Sequence, residues 1–208
     1  MFIKLCGFTR IEDIEKVTDL PVSAAGFIFY KKSRRYVTPQ LAGEMALLLR
    51  ENGIKAAGVF VDDDPEAIME IVKSAGLDIV QVYSSITANR LFSLIPVIEC
   101  VRISGRSQPL FPEPLPEGMV LFDTYSSDSH GGTGKSFNRE LIRDYPFRDK
   151  MIVSGGVNEG NVKNIIKELR PGGIDISTGI EISEGIKSRE KILKIMEAIK
   201  EAENDINA

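Results

Sequence analysis

The chain is poor in the residues that metal and disulfide chemistry require. It has one histidine, His130, and two cysteines, Cys6 and Cys100, among 208 residues. Two cysteines make no disulfide framework, and no Cys/His cluster has metal-ligand spacing. No metal or cofactor is expected. A basic excess is missing too. The formal net charge is -4, whereas nucleic-acid binders carry a basic face. Lys31-Lys32-Ser33-Arg34-Arg35 is the one local exception. No apolar run reaches the length of a membrane span. The opening residues, Phe2-Ile3-Lys4-Leu5, read as a strand rather than a secretory leader. These absences predict a cytoplasmic protein that binds neither nucleic acid nor membrane.

What is present is an alternation. Hydrophobic content of 43% and charged content of 27% are ordinary for a globular chain. Short β-rich runs fall at Phe2–Leu5, Ala24–Phe29, Ala56–Val61, Ile79–Val82, Val97–Val101, Met119–Phe122, Met151–Val153 and Ile174–Ile176. Between them, Pro39–Leu49, Pro65–Ser74, Asn158–Leu169 and Ser188–Glu201 place apolar residues at helical spacing. Pro39 and Pro65 suit a first helical turn, and Asp64 can cap the helix after it. Strands alternating with helices pair in parallel. Eight strands in this length predict an α/β chain folded as one (β/α)₈ TIM barrel, a single domain over residues 1–208. The rival, a doubly wound open sheet, normally carries a glycine-rich first turn, and Cys6-Gly7-Phe8-Thr9-Arg10 is not G-x-G-x-x-G. Pro109, Pro112, Pro114 and Pro116 cannot share a regular helix, so a Pro-rich loop replaces the fifth helix.

Barrel enzymes gather their working residues at the C-terminal ends of strands. That rule selects Cys6 after strand 1, Asp123 after strand 6, Gly155 and Gly156 after strand 7, and Ser177, Thr178 and Gly179 after strand 8. Side chains two apart share a strand face, so Lys4 goes with Cys6 and Asp175 with Ser177. Strands 1 and 8 are neighbours in a closed barrel. A lone buried charge is too costly, so Lys4 and Asp175 are expected to pair. The paired glycines suggest a phosphate cradle, because bare backbone N–H groups can approach an anion closely. A helix beginning just beyond Gly156 would add its dipole.

Each of these residues has a plainer reading. Taken alone, Cys6 fits a buried structural thiol better than a catalyst. Asp123 could cap a turn, and ordinary turns use glycine. Arg35 fits a solvated charge as well as a fork for a carboxylate. His130 lies in the polar stretch Ser126–Lys135 and reads as solvated, although such loops often cover sites. Cys100, inside strand 5, reads as core.

Together the motifs resemble the phosphoribosylanthranilate isomerase family. Lys4-Leu5-Cys6-Gly7-Phe8-Thr9-Arg10 is similar to its K-I-C-G-I/L-T-R opening. Gly26–Tyr30, Ser33–Val37, Gly58–Val61, Leu121–Thr124, Gly131–Phe137, Ser154–Asn158, Asp175–Glu181 and Gly185–Lys187 resemble later blocks, essentially end to end. The resemblance implies a cofactor-independent isomerase of tryptophan biosynthesis. Its substrate would be N-(5-phosphoribosyl)anthranilate, and its product 1-(2-carboxyphenylamino)-1-deoxyribulose 5-phosphate. Asp123 would be the general acid and Cys6 the general base. Arg35 would hold the anthranilate carboxylate, and the glycines with Thr178 the phosphate. Gln81 and Arg102, at the ends of strands 4 and 5, are further substrate candidates. Monomers and homodimers both occur in such families, so either state is expected.

The chemistry sets demands. Asp123 must keep its proton near neutrality, through burial or nearby negative charge. Cys6 must ionise, so it needs positive surroundings, with Lys4 one candidate source. Two departures stand out. The family's Q-L-H-G at strand 4 reads Gln81-Val82-Tyr83-Ser84, and its F-D-W reads Phe137-Asn138-Arg139. Two rival functions are a broader phosphosugar isomerase, which would pair two aspartates and show matching half-barrels, and a phosphate-ligand binder without catalysis. The pairing of Cys6 with Asp123 speaks against both.

Overall fold

The computed structural model describes residues 1–104, 109–124 and 137–207. Eight parallel strands close into a barrel in sequence order. They are β1 (Phe2–Cys6), β2 (Ala24–Ile28), β3 (Lys55–Phe60), β4 (Ile79–Val82), β5 (Val97–Ile103), β6 (Met119–Thr124), β7 (Met151–Val153) and β8 (Gly173–Ile176). The helices outside it are α1 (Ile11–Ile14), α2 (Pro39–Glu51), α3 (Pro65–Ala75), α4 (Ser85–Leu91), α5 (Val162–Leu169) and α6 (Arg189–Asn207). A two-stranded antiparallel hairpin, β9 (Glu181–Ser183) and β10 (Ile186–Lys187), follows β8.

Local chemistry explains the boundaries. Thr38 accepts from Leu41 N and Asp64 from Glu66 N, each ahead of a first-turn proline. Ser84 caps α4 by accepting from Thr87 N, so the changed residue after strand 4 starts a helix. α5 begins at Val162 and not at the expected Asn158. The asparagines preceding it make a tight turn instead: Asn158 N donates to Asn161 Oδ1, and Gly160 N donates to Asn158 Oδ1, both at 2.9 Å. Short polar side chains compete with helical bonding in this way. The helix dipole expected directly behind Gly156 is therefore displaced by several residues. Three further elements escaped the hydrophobic pattern because they are short: α1, α4 and the β9–β10 hairpin.

No helix joins β5 to β6 among the described residues. Phe111 from the Pro-rich segment packs edge-on against Phe122 and Tyr145, at centroid distances of 6.1 and 5.4 Å. The Tyr145 hydroxyl donates to Pro112 O at 3.1 Å. This aromatic cluster covers the strand face that a fifth helix would cover. Between β6 and β7 the described residues form only two 3₁₀ turns, Arg139–Ile142 and Arg148–Lys150. The first of them is capped by Asn138, whose Oδ1 accepts from Glu140 N.

Strand parity divides the core. One large apolar cluster lies between sheet and helices. A smaller one fills the lumen with Ala24, Ala57, Ile79, Ile98, Cys100, Leu121 and Ile152. Among the described residues no helix is long and apolar enough to cross a membrane.

Candidate active site

The lumen cluster fixes which residues look inward. Phe2 packs on it from β1 and Met119 from β6, so alternation turns Lys4 and Cys6, and Leu121 and Asp123, toward the same space. Lys4 is a register partner of Asp175 across β1 and β8. Its ammonium donates to Asp175 Oδ1 at 2.9 Å, with both groups buried. Ser154, just beyond β7, donates to Asp175 Oδ2 at 3.2 Å. The expected Lys4–Asp175 pair is thus present, and Ser154 completes it.

Cys6 and Asp123 both feel this pair. Burial pushes the Asp123 carboxyl up from 3.8 to about 6; Asp175 adds to the rise, and the Thr124 amide and Lys4 oppose it. The Thr124 N–H donates to Asp123 Oδ1 at 2.8 Å. Burial also pushes the Cys6 thiol up, while Lys4 and Lys187 pull it back and Asp175 pushes it further. Burial lowers the Lys4 ammonium, but Asp175 and Cys6 outweigh it and hold it above its ordinary value. Room for the thiol comes from β2: a Cβ on Gly26 would stand 2.7 Å from Cys6 Sγ.

The β4–β5 wall carries Gln81, Tyr83 and Arg102. Gln81 is buried, and its Oε1 has no hydrogen-bond partner among the described residues. Arg102 is the register partner of Asp123 and stacks over the Tyr83 ring at 5.0 Å. The Tyr83 phenol is pushed well above its ordinary value, first by lost hydration and then by Cys100 and Asp123. It stays protonated where a histidine would titrate.

Arg35 is not the free fork its sequence context suggests. It is buried, with Nε and Nη2 on Glu181 at 2.9 and 2.7 Å and Nη1 on Glu184 at 3.1 Å. A guanidinium has five N–H donors, and these three bonds leave two. Arg35 is oriented by Glu181 rather than solvated.

The loops after β7 and β8 meet. Gly155 and Gly156 have φ of +76° and +68°. A Cβ on Gly155 would collide with Thr124, and one on Gly179 with the Val157 carbonyl. Gly155 therefore sits against the end of β6 and Gly179 against the β7 loop. Ser177 Oγ would lie 3.2 Å from a Cβ on Gly7, which places Ser177 beside the end of β1. Thr178 opens the short 3₁₀ turn Thr178–Ile180. His130 and Ser126–Lys135 lie outside the described residues. Among the described residues no group of three His, Cys, Asp or Glu could hold a metal ion.

Sequence reasoning missed four contributors. Ser154 sat in a quoted motif without a role. Gly26 needed the strand register to reveal what it makes room for. Glu181 and Lys187 belong to a hairpin with no hydrophobic signature. Both charges are buried.

Known proteins resemble the whole chain. Residues 3–198 match the family model described as N-(5'phosphoribosyl)anthranilate (PRA) isomerase. An N-(5'-phosphoribosyl)anthranilate isomerase of Thermotoga neapolitana is 36% identical over 204 residues, covering 95% of this chain and 98% of the relative. One from Bacillus cereus is 35% identical, covering 96% and 98%. The crystal structure of the Thermus thermophilus phosphoribosyl anthranilate isomerase superposes with a TM-score of 0.84 at 25% identity, covering 97% of this chain and 99% of the other. A further such isomerase, in complex with reduced 1-(o-carboxyphenylamino)-1-deoxyribulose 5-phosphate, has a TM-score of 0.78 at 28% identity, with coverage of 97% and 99%. With the barrel and the near-complete matches in agreement, this chain belongs to the N-(5'-phosphoribosyl)anthranilate isomerase family.

Proposed function

We propose that the chain is a cytoplasmic, cofactor-independent isomerase of tryptophan biosynthesis. It converts N-(5-phosphoribosyl)anthranilate to 1-(2-carboxyphenylamino)-1-deoxyribulose 5-phosphate by an Amadori rearrangement. The observation that carries the roles is the shared lumen: Cys6 on β1 and Asp123 on β6 are both buried facing the space that holds the Lys4–Asp175 pair. Family membership and relatives of that name support the reaction, as does a similar isomerase in complex with the reduced product analogue.

Asp123, as the carboxylic acid, gives its proton to the furanose ring oxygen. The C1′–O bond breaks, and the anilino nitrogen lone pair forms the iminium. Cys6, as thiolate, takes the C2′ proton, and the electron pair left behind forms the enolamine. Proton return to C1′ and loss of the 2′-hydroxyl proton give the ketone, so the reaction has no net proton change. A carboxyl that titrates at about 6 retains a useful protonated fraction near neutrality.

The anthranilate carboxylate takes the two remaining N–H groups of Arg35, whose fork Glu181 holds in place. Gln81 Oε1 accepts from a substrate N–H or hydroxyl, and Arg102 guards the same wall. Backbone N–H groups around Gly155, Gly156, Ser177, Thr178 and Gly179 hold the 5-phosphate. The test is complementation of a tryptophan auxotroph that lacks this isomerase. The wild-type gene should restore growth without tryptophan and the Asp123→Asn gene should not. Failure of the wild type, with protein present, would refute the assignment.

A further inference from the structure

The strongest feature outside the lumen is a buried cation behind the end of β1. Lys187 is fully buried on the short strand β10. Its ammonium donates to Cys6 O at 2.5 Å and to Glu181 Oε1 at 2.8 Å, and lies 5.4 Å from the Phe8 ring centroid. Its backbone N–H donates to Asp13 Oδ2 at 3.1 Å. The chain leaves the sheet here, since Gly7 N and Phe8 N both donate to Gly26 O. Gly7 takes φ of +82°, and a Cβ on it would stand 2.7 Å from Arg35 Cδ and 3.5 Å from Lys187 Nζ.

Glu181 joins this cation to Arg35. The same carboxylate accepts from Arg35 Nε and Nη2, from Lys187 Nζ and from Gly185 N. Two buried cations thus share one buried anion, and Glu184 accepts from Arg35 Nη1 and from the exposed Arg34. An apolar side chain could fill the space with less desolvation. A lysine aimed at the carbonyl of the thiol-bearing residue does something an apolar residue cannot: its ammonium, which burial lowers and Glu181 and Cys6 support, sets a positive charge beside that thiol.

We infer that Lys187, with Glu181 as its counterion, is a positioning residue that fixes the Cys6–Gly7 end of β1 and favours the Cys6 thiolate. The inference rests on Cys6 acting as the base. The charged and titratable groups that interact with the thiol are Lys4 of β1, Asp175 of β8, Lys187 of β10, Arg35 and Tyr83. Of these, Lys4 and Lys187 pull the thiol down. Lys4 is already committed to Asp175. Glu181 also orients Arg35, so one carboxylate keeps base and substrate anchor in a single frame.

The test uses a Cys100→Ala background, which leaves Cys6 as the only thiol. Thiolate ultraviolet absorbance is followed against pH in the ligand-free protein, and kcat and KM are measured on N-(5-phosphoribosyl)anthranilate. Lys187→Met should move the thiol titration up by about one pH unit and lower kcat by about tenfold or more, with KM little changed. Glu181→Gln should raise KM as well, because Arg35 loses its orientation. The double variant Lys187→Met/Glu181→Gln leaves no lone Glu181 charge, so it covers the case in which the single variant fails to fold. It should show the same thiol shift. A folded Lys187→Met protein with unmoved thiol titration and unchanged kcat would overturn the inference. Failure of the underlying reading looks different: Cys6→Ser would keep full turnover, and the thiol shift caused by Lys187→Met would remain.

Discussion

The Lys4 ammonium lies 2.9 Å from Asp175 Oδ1, buried inside the barrel. Removing one partner strands the other. Lys4→Met should destabilise the fold by about 3–5 kcal/mol, the range for an unpaired buried charge. Lys4→Met/Asp175→Asn should recover much of that loss. Denaturant unfolding of the three proteins checks both statements. A Lys4→Met protein as stable as the wild type would show that the pair contributes nothing to folding.

The proposed acid and base titrate in reversed order. Asp123 lies at about 6, and burial pushes Cys6 upward. The working form carries its single proton on Asp123, although most singly protonated molecules carry it on Cys6. Both forms have the same dependence on pH. So kcat/KM should climb through about pH 6 as the doubly protonated enzyme disappears, then hold, and fall only at and above the thiol range. An ascending limb at the ordinary carboxyl value, or a fall just above neutrality, would be inconsistent with this pair.

Asp123 should also cost stability. The folded chain holds its proton more tightly than the unfolded chain, whose carboxyl keeps the ordinary 3.8. Stability therefore falls as pH rises from 3.8 through about 6, and the full cost above that is about 3 kcal/mol. Asp123→Asn should raise the unfolding midpoint well above pH 6 and give no gain near 3.8, while lowering turnover by about 10²-fold or more. Thermal unfolding at the two pH values decides; equal gains at both would contradict the burial argument.

Two glycines set distances. A methyl on Gly26 would meet Cys6 Sγ at 2.7 Å. Gly26→Ala should cost about 1–3 kcal/mol from overpacking and reduce kcat more than it raises KM, because it moves the thiol. Gly155 has positive φ and abuts Thr124. Gly155→Ala should raise KM for the phosphorylated substrate more than Gly26→Ala does, with about 1–2 kcal/mol of backbone strain in addition to the collision with Thr124. Steady-state kinetics of both variants separate the effects, and identical profiles would sink the distinction.

Much of this was legible from residue order. Strand spacing identified eight strands, and parity placed Lys4, Cys6, Asp123 and Asp175 on one face. First-turn prolines marked α2 and α3, and four prolines marked the β5–β6 segment, where the described residues form no helix. What escaped depends on side chains meeting across the fold. The β9–β10 hairpin is too short for a period to emerge, so Glu181 and Lys187 appeared only inside family-like blocks, without a role. Arg35 looked like a free fork because its partner lies 146 residues away. Asn158 lay in a helical pattern, but its side chain bonds to the local backbone and delays α5 to Val162.

The most direct test is turnover of N-(5-phosphoribosyl)anthranilate by purified protein, followed through the change in anthranilate fluorescence, for wild type, Cys6→Ser and Asp123→Asn. The account predicts an active wild type and two folded variants, each slower by about 10²-fold or more. Full activity in either variant, or none in the folded wild type, would contradict it.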